Sequence, residues 1–442
     1  MIYLSDFPKI IQIEPTNSCN FSCSMCLLSL WKNKKRNSIS LSLFEKIAKE
    51  TFPHISRLVL YGMGEPLTHK KFLDLLRIAR KYLQAEGKIA FTTNGSLFNE
   101  NMVNEVLENN LVDEIVFSCD TFEGQESLGH SMAVTTVRKN LDYLLKHKKR
   151  CSIKVGIEIV VMKKNYKSLE KSIQMFCNKK VDFITISHIY PYKEHVQDEM
   201  MYTMLTNEAL TIFEESGEKW DELILGVTRE KFAESMQLQY RELYKYKDKL
   251  VKKERPYSER YNELLSKAKK KNVLLNTSLY LKEKEKLELL RELETIFKKI
   301  VQISKKSGVK VILPDIIPSF KNRECPYQAN NAVIIRSDGE VVPCFKYLYD
   351  HPSYLDYHSR ESSFYSFGNV KNNSFSEIWN GTDFTSFRSK LRNMNKNVPY
   401  CGNCSFSTNN CFYVTEGQSD CWGNEPFCSE CPYSLNLTKC LL

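Results

Sequence analysis

The stretch Glu14-Pro-Thr-Asn-Ser-Cys-Asn-Phe-Ser-Cys-Ser-Met-Cys26 sets three cysteines, Cys19, Cys23 and Cys26, in a loop directly after an isoleucine-rich run, Lys9–Ile13. The spacing is C-x-x-x-C-x-x-C, and no histidine lies nearby. A structural zinc site wants four protein ligands and is usually built from C-x-x-C pairs. Three thiolates close together suit something else: they can hold three irons of a [4Fe–4S] cluster and leave the fourth iron open to a small molecule.

The rest of the chain agrees with metal. It has 442 residues and 15 cysteines, nine of them between residues 325 and 440. Only Cys119, Cys151 and Cys177 lie between the two fields, each alone. An odd total and C-x-x-C spacings in a chain without a secretory signal argue against a disulfide framework. The N-terminus lacks a basic region followed by a long apolar run. No uninterrupted apolar stretch reaches the length of a membrane span, and a cytoplasmic protein is expected. Composition is ordinary, at 42% apolar and 26% charged. The net charge of +10 is dispersed through Lys-rich helical stretches, which reads as solvated faces rather than a nucleic-acid groove.

From Lys9 onward, short Ile/Val-rich strands alternate with amphipathic helices. Strands are expected at Lys9–Ile13, Arg57–Tyr61, Lys88–Thr92, Glu114–Ser118, Ser152–Val161 and Asp182–Ser187. Helices are expected at Leu41–Thr51, Lys70–Leu83, Asn99–Asn109, Met132–His147 and Tyr166–Asn178. This alternation implies βαβ units and a parallel sheet. Six such strands make three quarters of a (β/α)8 barrel, with ligands at the carboxyl ends of the strands. Residues 197–308 are dense in Lys, Glu, Leu and Tyr and read as helices at Thr206–Glu215, Arg229–Leu250, Ser258–Lys271 and Leu279–Ser307. Val309–Leu313 is a strand candidate, and Ala332–Arg336 with Glu340–Cys344 flank Ser-Asp-Gly as a β-hairpin. The expected fold is α/β: a partial (β/α)6 barrel with a helical insertion and a Cys-rich α+β C-terminal extension. The domains would be 1–196, 197–308 and 309–442.

The Glu14–Cys26 loop resembles the signature loop of radical S-adenosylmethionine (radical SAM) enzymes. The resemblance extends to Tyr61-Gly-Met-Gly-Glu-Pro66, similar to that family's glycine–glutamate motif, with Met63 a departure from the usual glycine pair. Thr92-Thr-Asn-Gly95 and Phe117-Ser-Cys-Asp120 end the next two strands as family segments near the cofactor do. The resemblance implies cofactor contacts from Gly62, Met63, Gly64, Glu65, Asn94, Ser118 and Asp120. Glycines at 62 and 64 would let backbone approach the methionine part of the cofactor, while Glu65 would accept from its ammonium or brace the loop. Gly156, Glu158 and Asn165 are weaker carry-overs, and Cys119 reads as a buried thiol. The implied chemistry is one-electron cleavage of SAM to a 5′-deoxyadenosyl radical, which abstracts hydrogen from a substrate carbon. Flavodoxin or ferredoxin would supply the electron.

The C-terminal field resembles the SPASM extension of the same enzymes, which carries two auxiliary [4Fe–4S] clusters. Thirteen residues separate Cys325 from Gly339, and Cys344 follows in G-x-x-x-x-C spacing. Cys401-Gly-Asn-Cys404, Cys411, Cys421, Cys428 and Cys431 come next, with six residues rather than the usual five between Cys404 and Cys411. These eight cysteines would suffice for two clusters, with Cys440 a ninth candidate. One cluster plus a zinc ribbon is the alternative. The pairing of thiol with cluster cannot be read from spacing.

Asp420-Cys-Trp-Gly-Asn-Glu-Pro-Phe-Cys-Ser-Glu-Cys431, with Gly64-Glu-Pro-Leu67 and Trp31, is similar to the branch described as maturases of tungsten-cofactor oxidoreductases. Other members modify peptides or proteins, so a peptide or protein substrate is also expected. Sulfatase maturases carry an Asp directly after the cysteine that corresponds to Cys344; here Phe345 stands there, which argues against formylglycine formation. Asp120, Glu158 and Asp338 remain as candidate bases. A non-catalytic iron–sulfur scaffold is the competing reading, and the intact motif at 62–65 speaks against it.

Overall fold

The computed structural model describes residues 7–31, 35–120, 131–148, 152–244, 255–409, 411–415 and 418–439. Cys151 and Cys440 lie outside the described residues, as does the end of the helix expected at Arg229–Leu250.

Strand β1 (Ile10–Ile13) is buried along its whole length. Its one polar residue, Gln12, is matched by hydrogen bonds to the Tyr61 carbonyl (3.0 Å) and from the Tyr327 hydroxyl (2.7 Å). Helix α1 (Leu41–Thr51) starts where Ser40 accepts from the Leu43 amide and buries Leu43, Phe44, Ile47 and Ala48 on one face. The alternation continues through β2 (Arg57–Leu60), α2 (Phe72–Tyr82), β3 (Lys88–Thr93), α3 (Glu100–Glu108), β4 (Glu114–Ser118), α4 (Ser131–His147), β5 (Lys154–Val161), α5 (Leu169–Asn178) and β6 (Phe183–His188). All six strands are parallel, each paired with its sequence neighbour. Their carboxyl ends therefore share one rim.

Three further strands extend the sheet. β7 (Lys310–Ile312) pairs parallel with β6 at one edge. At the other, β8 (Ala332–Ile335) pairs parallel with β1, and β9 (Val341–Val342) returns antiparallel beside it. The expected hairpin at 332–344 thus lies in the main sheet, and its turn stands next to the loop that follows β1. A second hairpin, β10 (His351–Leu355) with β11 (His358–Ser362), stands outside the sheet.

The Lys/Glu-rich stretch folds as α6 (Asn207–Glu215), α7 (Trp220–Tyr244), α8 (Pro256–Lys270) and α9 (Thr277–Ser307). α7 begins nine residues before the expected Arg229, because Trp220 anchors its first turn. The Trp220 indole donates to the Phe213 carbonyl (3.0 Å) and packs edge-on to the Phe213 ring, which stacks on Tyr280 at 4.1 Å. α9 packs along α5 and delivers the chain to β7. Asn276 caps α9 and also donates to Thr408 Oγ1 (2.7 Å), tying these helices to the second cysteine field. Trp220→Ala removes the centre of this cluster and is expected to cost about 3–5 kcal/mol. Hydrogen exchange should read the loss as reduced protection confined to residues 206–307.

Candidate active site

The cysteine loop leaves β1 and is clamped from four sides. Glu65 N donates to the Ser18 carbonyl (2.8 Å), and the Arg36 guanidinium donates to the Asn17 carbonyl (2.9 Å). The Asn37 amide donates to Asn17 Oδ1 (2.7 Å), and Lys193 Nζ, beyond β6, donates to the Ser24 carbonyl (2.6 Å). Cys19, Cys23 and Cys26 are all part-exposed free thiols. Burial raises all three. Cys23 is pushed up to about 11, by burial first and then by Cys26, Cys19 and Asp120. The three thiols therefore lie within electrostatic reach of one another. They become thiolates only against a strong positive charge, which iron supplies and which Lys193 and Arg36 support at Cys26. This donor set fits a cluster with one open iron.

The glycine–glutamate segment sits against that loop. A Cβ at Gly64 would stand 2.4 Å from the Ser18 and Thr16 carbonyl oxygens, and one at Gly62 would meet the Glu14 side chain. The glycines make room for the chain's own loop. Met63, like Cys19, Cys26 and Tyr349, packs against the buried cluster that includes Trp31 and Tyr190. Glu65 is buried, and its carboxylate accepts from Thr93 Oγ1 (2.7 Å), Asn94 N (2.7 Å) and Leu67 N (3.1 Å). Burial holds it at about 7 despite those bonds. Of the two roles expected for Glu65, these contacts are those of a brace between the ends of β2 and β3. Asn94 reaches the cysteine loop, donating to Asn20 Oδ1 at 3.0 Å.

Ser118 is exposed at the end of β4, opposite Glu158 in the register with β5. Asp120 is buried and accepts from the Val160 amide (2.9 Å). Burial pushes Asp120 up to about 6; burial and then Asp120 push Glu158 up to about 7. Two carboxyls thus share the rim beside Cys23. Below its unfolded value of 4.5, Glu158 is neutral in both states and costs nothing. Above about 7 it is charged in both, and the full penalty applies. Glu158→Gln is therefore expected to raise the unfolding free energy at pH 8 by up to about 3 kcal/mol, read as a higher melting temperature, and to leave both unchanged at pH 4. The third candidate base, Asp338, accepts two hydrogen bonds from Arg336 (2.9 and 2.7 Å), which hold its carboxyl below its usual range and make it the weaker base of the three.

Glu14, quoted in the motif without a role, joins the parts. Its buried carboxylate accepts from the Met63 amide (3.0 Å), Tyr349 hydroxyl (2.6 Å) and Ser337 hydroxyl (3.0 Å). The start of the cysteine loop, the glycine segment and the β8–β9 turn meet on one side chain. Sequence carried no signal for this, because the partners are 49 and 335 residues away.

The remaining cysteines separate into two sets of four. Cys325, Cys344, Cys428 and Cys431 line one enclosed cavity; burial and then the charges of neighbouring thiols of the set raise Cys325, Cys344 and Cys428, with Cys325 reaching about 12. Lys346 and Arg323 face this set and favour its thiolates. Cys401, Cys404, Cys411 and Cys421 line a second, open cavity of ≈ 460 Å³. Cys421 there feels Cys404 and Cys411. Each set has the four thiols that a fully ligated cluster needs. Among the described residues, no three Cys, His, Asp or Glu side chains converge on a single-ion position. Cys119 is a buried thiol, as expected. Phe345 packs toward Tyr61, with ring centroids 5.9 Å apart.

Comparison with known proteins agrees with these parts. Residues 13–176 match the radical SAM superfamily and residues 325–405 the SPASM iron–sulfur cluster-binding domain. The chain thus carries a radical SAM domain and a SPASM domain, and those domains imply a [4Fe–4S] cluster, SAM and auxiliary iron–sulfur clusters. It is 27% identical to the tungsten-containing aldehyde ferredoxin oxidoreductase cofactor-modifying protein of Pyrococcus furiosus, over 98% of this chain and 97% of that one. Its fold is similar to that of anSMEcpe with bound AdoMet, at TM-score 0.50 and 15% identity, over 92% of this chain and 88% of that one. Streptococcus suis SuiB bound to S-adenosylmethionine gives TM-score 0.49 and 14% identity, over 87% and 68%. No helix among the described residues is long and apolar enough to cross a membrane.

Proposed function

We propose that this chain is a radical SAM maturase that cleaves SAM at a cluster held by Cys19, Cys23 and Cys26 and acts on a metalloenzyme or its cofactor as target. The observation that carries the reading is the meeting of those three thiols with the glycine–glutamate segment on one barrel rim. The near full-length likeness to a cofactor-modifying protein supports the target class. When bound, the cluster and SAM supply a 5′-deoxyadenosyl radical that takes hydrogen from the substrate. The chain's own residues do the rest. Gly62, Met63, Gly64 and Glu65, with Asn94, fix the loop around the cofactor, and Ser118 lies exposed on the same rim. Asp120 and Glu158, raised to about 6 and about 7, titrate close enough to neutrality to take up or return a proton. Trp31, Met63, Tyr190 and Tyr349 wall the site with apolar surface that excludes water. Cys325, Cys344, Cys428 and Cys431 would hold one auxiliary cluster, and Cys401, Cys404, Cys411 and Cys421 the other. Flavodoxin or ferredoxin would deliver the electron.

The test is isotopic. The reconstituted, reduced protein is incubated with SAM and a deuterated tungsten oxidoreductase made without this maturase. Deuterium in 5′-deoxyadenosine supports hydrogen abstraction from that target. Unlabelled 5′-deoxyadenosine overturns the target, and none at all overturns the radical reading in favour of an iron–sulfur scaffold.

A further inference from the structure

The β8–β9 hairpin leads into Cys344, and a short 3₁₀ turn, Phe345–Tyr347, follows at once. The turn buries Lys346 and Tyr347. Lys346 is 4% exposed and lines the enclosed cavity together with Cys325, Cys344, Cys428 and Cys431. Its ammonium stands 3.8 Å from the Phe427 ring centroid and 5.3 Å from that of Tyr347. The ring faces give it partial support. Among the described residues it ion-pairs with no carboxylate. The nearby Glu430 is taken up by His358 (2.7 Å) and Arg360 (3.2 Å).

A buried ammonium with no anion is strongly unfavourable. Burial works most against the charge of Lys346, and Arg360 adds to this; Cys431, then Cys428 and Glu430, favour it. The thiols of the enclosed set thus supply most of its counter-charge.

The two auxiliary sets differ in this respect. Arg323 faces both, with Cys428 and Cys431 on one side and Cys401 on the other. Its guanidinium is held there by the Val398 and Cys428 carbonyls (3.0 and 2.8 Å). Lys346 faces Cys431 and Cys428. In the open set, Cys401 meets Glu430 as well as Arg360, and Cys421 meets Asp420. The enclosed set therefore has a buried cation of its own, and the open set has carboxylates beside it.

The potential of an iron–sulfur cluster follows net charge, hydrogen bonding and exposure. Four thiolates outweigh the charge of the iron–sulfur core, so a fully ligated cluster is an anion. Reduction adds one electron to it and makes or breaks no bond. Enclosure opposes that added charge, and a cation in the same low-dielectric space offsets the opposition. We infer that Lys346 is the buried counter-charge that raises the reduction potential of the enclosed auxiliary cluster and leaves that of the open one nearly unchanged. The inference rests on the assignment of Cys325, Cys344, Cys428 and Cys431 to one cluster.

The experiment is a redox titration followed by electron paramagnetic resonance. It uses the full-length, anaerobically reconstituted chain carrying Cys19→Ala/Cys23→Ala/Cys26→Ala, in which the two auxiliary sets are followed alone. Adding Cys428→Ala identifies the enclosed cluster as the signal that disappears. Lys346→Met and Lys346→Gln should each make that cluster harder to reduce, by roughly tenfold in the equilibrium constant, about 59 mV for one electron. The open cluster should move by less than about threefold. Lys346→Arg, which keeps the charge, should restore the enclosed cluster toward its native midpoint. Neutral variants that leave that midpoint in place, shift both clusters equally or lose the enclosed cluster's iron would overturn the inference. So would an arginine variant that shifts as the methionine variant does. Retention of both signals in Cys428→Ala would instead overturn the assignment of the four thiols, and the inference with it.

Discussion

Cys23→Ala is expected to bring 5′-deoxyadenosine formation to background and to remove about four iron atoms per chain, the complement of one [4Fe–4S] cluster. The cysteine loop offers no replacement ligand. Cys119, the nearest further thiol in sequence, directly follows β4 and is buried as part of the core. With two thiolates left, the irons lose the support that their charge requires. The other two sets lie in separate cavities, so their iron should stay. Cys428→Ala should show the complementary pattern, with iron lost from the enclosed set and the triad still loaded. Iron determination and chromatography of the nucleoside, on the same samples, separate the two cases. Loss of much more than about four irons from either variant would contradict the partition into three sets.

Gly64→Ala should act almost as strongly by a different route. The added carbon would stand 2.4 Å from two backbone oxygens, those of Ser18 and Thr16. Neither can swing away as a side-chain end would. The cysteine loop must move outward, and the Glu65 N–Ser18 O bond must stretch or break. Overpacking of this kind costs about 1–3 kcal/mol. A shift of about 1 Å in the loop that positions the reacting groups is worth roughly 10²-fold in rate. Iron loading should fall far less than the rate does. A rate within a factor of two of the native chain would show that this glycine is not holding the loop.

Much of this was legible from residue order. The six strands lie within a residue or two of their expected bounds, because a strand buried on both faces reads as a continuous Ile/Val run. The triad was legible because its three thiols sit in one loop. The auxiliary sets were not, because Cys325 and Cys344 pair with Cys428 and Cys431 across the whole 401–421 segment. Only the path of the folded chain decides that. The hairpin at 351–362 was also missed: His351, Ser353, Arg360 and Ser362 face inward there, which inverts the usual apolar pattern of a half-buried strand. Arg360 and His358 face the buried Glu430, whose carboxyl they hold down at about 2. Glu65 was read in both of its possible roles, and its three donors are the contacts of a brace.

The central claim is that Cys19, Cys23 and Cys26 form the one set able to cleave SAM. It is tested most directly by 5′-deoxyadenosine formation from SAM under dithionite, comparing the native chain with the Cys19→Ala/Cys23→Ala/Cys26→Ala variant. Each is reconstituted anaerobically to constant iron. The account predicts product from the native chain, and none from the variant although it keeps both auxiliary clusters. Product from the variant, or none from the fully loaded native chain, would contradict it.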